Sequence, residues 1–235
     1  MKHLALYLIA PLQSWGAASK FGERGTLDAP TRSGLLGMLA AACGVDKNDT
    51  ARERDWLVRA AGLVLSIYAF RRGNRLTDYQ TVGSHYDTDD PWQRRMIPTA
   101  ADGKPRTTDV THRDYLSESI FGAVLSGDEV FISKLADGIA NPIWGVWLGR
   151  KSCIPTEPVF AGVFDSDETA RDALIARFHA SRSRSTAKGM GKEVDSPVFS
   201  VIETGAEDAE ELVFDVPTSF GQRKYRTRRI RHLEV

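Results

Sequence analysis

Two apolar segments near the start constrain this chain more than any other stretch: LALYLI at residues 4–9 and PTRSGLLGMLAAACG at residues 30–44. The first ends before Pro11, is too short to cross a membrane, and is rich enough in aliphatics to be a buried strand. The second reads as a helix over 34–43, because Leu35, Leu36, Leu39 and Cys43 fall at helical spacing and Ala40 to Ala42 favour that state. Thr31 or Ser33 can cap it, and Gly44 can end it. The chain therefore opens with a central strand, crosses a polar loop and enters a helix.

The helix start carries chemical information. Backbone N–H groups there are unpaired and the helix dipole favours an anion, so Thr31-Arg32-Ser33-Gly34 suits a phosphate. Gly34 and Gly37 share one face, where a missing side chain lets another backbone approach. The competing reading is an ordinary capped helix with glycine at a packing contact.

Downstream, Asn48-Asp49-Thr50 begins a second helix to about Ala61 that can bury Trp56, Leu57 and Ala60. Residues 63–70 read as a strand, with Leu63, Leu65, Ile67 and Ala69 on one face and Tyr68 and Phe70 on the other. A basic turn leads to a second strand over 76–82, and the two can form a hairpin. Residues 84–106 are rich in Asp, Pro and Gly, with Trp92, Met96 and Ile97 among arginines, so they read as an insertion. Residues 107–116 and 119–125 read as strands. A helix then starts at Asp128-Glu129, burying Ile132, Leu135, Ala136 and Ile139, and residues 159–164 supply a closing strand. This is the βαββαβ order of a ferredoxin-like fold in the α+β class, with an arm inserted.

Beyond it, a short helix from Ser166 presents Ala170, Ala173, Leu174 and Phe178, and SRSRSTAKGMGK at 181–192 reads as a flexible basic loop. Residues 198–202 and 212–216 read as strands flanking an acidic turn at 207–211. The run 223–231 carries six Lys or Arg and, if extended, lines one edge with cations. The zero net charge thus hides an asymmetry.

Several classes are disfavoured. Two distant cysteines supply neither a metal quartet nor a disulfide framework, and His3, His179 and His232 stand alone. Neither GRKS at 149–152 nor GMGKE at 189–193 fits a nucleotide-binding P-loop. No cofactor is implied. There is no signal-peptide pattern and no membrane span, so a cytoplasmic protein is the default. An RRM-type aromatic pattern is missing, so if RNA binds here it is gripped by loops and helix ends rather than laid across a sheet. Gly149-Arg150-Lys151-Ser152 is the best such loop.

PLQSWG at 11–16, followed by APTRSGLLGMLAAACG at 29–44, resembles the N-terminal signature of the CasD family, the subunit of type I-E CRISPR surveillance complexes (Cascade) that holds the 5′ handle of the guide RNA. DYQTVG at 78–83, THRDYLSESIFGAVL at 111–125 and WLGRKSCIPTEPVF at 147–160 match in order, so the resemblance covers most of residues 4–164. It implies a modified ferredoxin-like (RRM-like) domain over 1–164 with an inserted β-hairpin arm at about 84–106. Residues 165–235 form a smaller β-rich C-terminal subdomain with its loop at about 181–192.

By resemblance the chain is a noncatalytic antiviral-defence subunit that caps the guide RNA handle and contacts the CasC backbone subunit and the CasA large subunit. Target DNA is met only through the assembled complex, and no membrane is involved. The RNA-binding candidates are Gln13, Trp15, Thr31, Arg32, Ser33, Tyr79, Arg106, Arg150, Lys151 and Ser152. Trp15 and Tyr79 would stack or wedge, Arg32 and the helix start would take a phosphate, and Arg150 to Ser152 would clamp the backbone. The alternative is a metal-independent endoribonuclease that processes precursor RNA, with His112 or Tyr79 as base or acid and Lys104 or Lys151 supplying charge. A purely protein-binding scaffold is a third reading.

Overall fold

The structure, a computed structural model, describes residues 1–16, 22–82, 89–96, 103, 109–184, 197–203 and 207–234. In chain order the elements are β1 (Lys2–Ile9), β2 (Leu12–Gln13), β3 (Trp15–Gly16), β4 (Glu23–Arg24), β5 (Thr26–Leu27), α1 (Arg32–Ala42), α2 (Thr50–Ala61), β6 (Val64–Arg71) and β7 (Asn74–Val82). There follow α3 (Pro91–Arg94), β8 (Asp109–Ser117), β9 (Ile120–Gly127), α4 (Glu129–Ala140), β10 (Phe160–Phe164), α5 (Asp167–Arg184), β11 (Phe199–Glu203), β12 (Glu211–Ser219) and β13 (Lys224–Glu234).

A seven-stranded antiparallel sheet in the order β10-β1-β9-β6-β11-β13-β12 forms the frame. β1 is continuously apolar because it is interior: it pairs with β9 along its whole length, Lys2 opposite Gly127 to Ile9 opposite Ile120, and with β10 on its other side. Both of its faces are also covered. Leu4, Leu6 and Leu8 join the main core with Leu35, Leu36 and Leu39 of α1 and Ile132 and Leu135 of α4. Ala5 and Tyr7 face a second core with Tyr68, Phe70 and the α5 residues Ala170, Leu174 and Phe178. Phe70 stacks on Phe178 with ring centroids 5.0 Å apart. The sheet face that could have served as a base-stacking platform is therefore closed by α5 across β1, β9 and β6.

The helix caps follow from sequence. Thr31 Oγ1 accepts the Gly34 N–H at 3.1 Å, Asp49 caps α2 and Asp128 caps α4. α5 is longer than the short helix expected, running through the first residues of the basic stretch to Arg184; most of that stretch lies outside the described residues.

Two expectations are corrected. β6 does not form a hairpin with β7, because both edges of β6 are taken, by β9 and β11. β7 instead leaves the main sheet and pairs with β8, Asn74 opposite Ser117 to Val82 opposite Asp109. Nor does the basic C-terminal run line an edge: β13 lies between β11 and β12. β11, β12 and β13 continue the same sheet from the β6 side, and Phe199, Val201 and Ile230 belong to the main core.

The expected arm at 84–106 lies mostly outside the described residues. Its described part holds the single turn α3, where the Asp90 carboxylate accepts the Trp92 N–H at 2.8 Å, and Trp92 is exposed. Among the described residues no helix is long and apolar enough to cross a membrane.

Cys43 and Cys153 are buried free thiols, and burial pushes both up from the ordinary thiol range. The thiolate is the nucleophile, so iodoacetamide at neutral pH is expected to leave both unmodified in the folded chain and to alkylate both in denaturant. Mass spectrometry reads the difference; rapid native alkylation of either cysteine would contradict the packing.

Candidate nucleic-acid interface

Three short stretches far apart in sequence, 12–16, 31–34 and 148–152, meet around one cleft of about 310 Å³. Their convergence is built from buried contacts. The Gln13 amide donates to the carbonyls of Leu8 at 3.0 Å and Ser119 at 2.8 Å and accepts the Trp15 indole N–H at 3.1 Å. Trp15 is fully buried, and a Cβ on Gly34 would stand 2.9 Å from its ring, so glycine lets α1 sit against the indole. The Ser14 N–H donates to the Leu148 carbonyl at 3.1 Å. Gly149 has φ of +100°, and a Cβ there would lie 1.6 Å from the Ser14 carbonyl oxygen.

Gln13, Trp15 and Thr31 are thus structural rather than RNA-facing. Gln13 and Trp15 are 0% exposed and Thr31 2%, so none has surface to offer a base or phosphate. They fix the floor that brings the α1 start to the 149–152 loop.

Arg32 is also corrected. Its guanidinium is buried, pairing with Glu203 and donating to the carbonyls of Ala60 and Leu63 at 2.8 Å each. Its backbone N–H donates to Asp215 Oδ2 at 2.7 Å, so a carboxylate of the protein already occupies the anion position at the α1 start. Arg228 holds Asp215 through two hydrogen bonds of 2.7 and 3.0 Å and reaches Glu203 at 3.2 Å. Two arginines and two carboxylates therefore close a buried network joining α1, β11, β12 and β13.

Ser33, Gly34, Gly149 and Arg150 do line the cleft, together with Arg24 and Tyr225. Arg150 stacks over the Tyr115 ring at 4.7 Å, donates to the Asp114 carbonyl at 2.9 Å, and reaches the carbonyls of Arg24 and Gly25. Its hydrogen-bond acceptors are all carbonyls, and among the described residues no carboxylate pairs with Arg150. Its geometry is fixed while no described carboxylate compensates its charge, which preorganises it for an anion. Arg24 is exposed and similarly free of an acidic partner among the described residues. Lys151 and Ser152 are exposed beside it, with the Lys151 ammonium 5.9 Å from the Trp147 ring and Ser152 Oγ 3.4 Å from Tyr115 Oη.

The β7–β8 pair adjoins the cleft through β4, which pairs in parallel with β8, Glu23 opposite His112 and Arg24 opposite Arg113. Tyr79, 62% exposed, faces His112 across the β7–β8 pair with ring centroids 5.4 Å apart. Glu23 Oε1 lies 3.0 Å from His112 Nδ1. Arg106 and Lys104 lie outside the described residues. No group of three or more His, Cys, Asp or Glu suited to a metal ion occurs among the described residues.

Arg24 and Tyr225 were missed by sequence reasoning. Arg24 sits in the polar GERG loop, where only its position between two glycines marks it, and Tyr225 was visible as the aromatic residue inside the basic run.

A family model described as CRISPR-associated protein (Cas5) matches residues 3–231. The Cascade subunit CasD of Escherichia coli (strain K12) is 32% identical over 184 residues, spanning 73% of this chain and 75% of that protein. A chain of a solved CRISPR RNA-guided surveillance complex superposes with a TM-score of 0.72 at 30% identity, covering 99% of this chain and 90% of the other. The crystal structure of a Cas protein, at 24% identity and a TM-score of 0.64, covers 99% and 94% and shows a shared fold.

Proposed function

This chain belongs to the Cas5 family of CRISPR-associated proteins, and on that premise we propose that it is a noncatalytic subunit of a type I-E Cascade surveillance complex that binds the 5′ handle of the guide RNA. The observation that carries this reading is the cleft itself: Arg150, fixed by carbonyls and with no carboxylate paired to it among the described residues, faces Arg24, Ser33 and Tyr225. Two cations, a hydroxyl and an aromatic ring around a glycine-lined backbone suit a single-stranded RNA, whose phosphates pair with guanidinium groups and whose unstacked bases seek rings.

The RNA ligands in this proposal are Arg24, Ser33, Arg150, Lys151, Ser152 and Tyr225, with Tyr79 of β7 beside them. The strand order β10-β1-β9-β6, with α1 and α4 against one face, supports a ferredoxin-like core in residues 1–164 into which β7 and β8 are inserted. Exposed Ile143 (66%), Trp144 (44%) and Ile154 (63%) support contacts to other subunits, proposed to be CasC and CasA. Target DNA would be met only through the assembled complex.

Arg24→Glu tests the cleft cleanly, since the side chain is exposed and its replacement leaves packing intact. By anisotropy with labelled repeat RNA, the variant is expected to bind about ten- to a hundredfold more weakly, as charge-assisted hydrogen bonds are each worth about 1.5–3 kcal/mol. The slope of log affinity against log salt should flatten by about 0.7 for each phosphate that the protein no longer neutralises. Unchanged affinity and slope would sink the assignment.

A second reading, an endoribonuclease, draws on one observation: Glu23 holds His112 Nδ1 beside Tyr79, leaving Nε2 to act on a proton. Repeat RNA that stays intact with the full chain in chelator supports the noncatalytic reading. A discrete cut that disappears in His112→Ala would replace it.

A further inference from the structure

The β12–β13 ribbon carries exposed side chains that neither the core nor the cleft explains. Leu212 and Phe214 are 64% and 65% exposed, while Val213 between them packs on the main core. Strand alternation therefore turns Leu212 and Phe214 to the outer face. In register, Leu212 lies opposite Arg229 and Phe214 opposite Thr227. The Tyr225 ring meets Phe214 edge-on, centroids 6.1 Å apart, and Tyr225 also lines the cleft.

The charges on this ribbon divide into two sets. Arg228 is taken by Asp215 and Glu203, and Arg231 by Glu210. By the same alternation Arg229 shares the outer face with Tyr225 and Thr227, while Lys224 and Arg226 fall on the other face with Arg228. Arg229 is exposed, and among the described residues no carboxylate pairs with it. The acids of β12 are engaged elsewhere: Asp215 is buried in its network and Glu211 lies against His232. The outer face of the ribbon thus presents exposed Phe214 against half-buried Tyr225, with Arg229 beside them and no described carboxylate paired to it.

We infer that the outer face of β12–β13 is a second single-stranded RNA platform, a continuation of the cleft along which the strand runs past Tyr225 onto Phe214, with Arg229 holding a phosphate. Exposed rings offer a stacking surface to any base, and unpaired guanidinium groups attract the backbone, which together make a sequence-tolerant site. An acidic protein segment would satisfy the cations, but it would not account for the aromatic pair joining the ribbon to the cleft. The inference rests on the cleft being an RNA site, and its test is arranged so that the two can fail separately.

The full chain is titrated with two labelled oligouridylates, a short one that fills the cleft and one extended by several nucleotides. Phe214→Ala/Arg229→Ala alters only exposed side chains, and a thermal melt matching the parent chain confirms its fold. The double variant is expected to bind the short RNA as the parent does and the long RNA roughly tenfold more weakly, the order of one base stacked on an aromatic ring. Equal binding of the long RNA by parent and double variant would overturn the platform, whatever happens in the cleft. Failure of the cleft reading is seen separately, as short-RNA binding that survives Arg24→Glu. If the double variant keeps both RNA affinities but no longer copurifies with partner subunits after ribonuclease treatment, the ribbon is a protein-docking face and the inference is wrong.

Discussion

Replacing Arg32 with alanine is expected to lower the free energy of unfolding by about 3–5 kcal/mol, the range for removing one partner from a buried ion pair. The reason lies in what the substitution strands. Arg32 and Arg228 balance Glu203 and Asp215 in a buried network, and the Arg32 guanidinium also takes the carbonyls of Ala60 and Leu63. Without it, the Leu63 carbonyl loses the Arg32 donor, the Ala60 carbonyl keeps the Leu63 N–H, and Glu203 keeps one cation instead of two. A domain typically has only about 5–15 kcal/mol in total, so the loss is a large fraction of its stability. Urea denaturation with coincident circular dichroism and fluorescence transitions measures it. A loss below about 1 kcal/mol, the value for an exposed pair, would mean that the network is solvated.

Gly149→Ala is expected to destabilise the chain by about 2–4 kcal/mol, combining the strain of a non-glycine residue at positive φ with loss of a backbone hydrogen bond. A Cβ at Gly149 would overlap the Ser14 carbonyl oxygen at 1.6 Å, so the 148–152 loop must move off the strand and release the bond from Ser14 N–H to Leu148. Function should suffer more than stability. Arg150 is aimed by this loop, and its displacement is expected to weaken RNA binding even under conditions where the chain remains folded. A melt shift without any change in affinity would show that the aim of Arg150 does not matter.

The two variants show how differently parts of this molecule can be read from sequence. β1, α1, α2 and α4 are legible because local signals agree: an unbroken apolar run, helical spacing of Leu35, Leu36 and Leu39, and the caps Thr31, Asp49 and Asp128. Strand partners are less so. Nothing within residues 63–82 says that β6 is paired on both edges by distant strands, which sends β7 to β8 instead. The site divides along the same line. Arg150 is recognisable from its glycine-flanked basic loop. Arg32, equally basic and equally suited to a helix start, is withdrawn from solvent by Asp215 and Glu203, which lie 183 and 171 residues later. Sequence shows which side chains could bind a phosphate, but the tertiary partners decide which remain free to do so.

The most direct test of the account is ultraviolet crosslinking of the chain to 4-thiouridine-substituted guide RNA within the co-expressed complex, with crosslinked peptides identified by mass spectrometry. The account predicts adducts within residues 22–34, 149–152 and 224–229, which line the cleft and the ribbon beside it. Adducts confined to the outer surfaces of α2, α4 or α5, with none in those three segments, would contradict it.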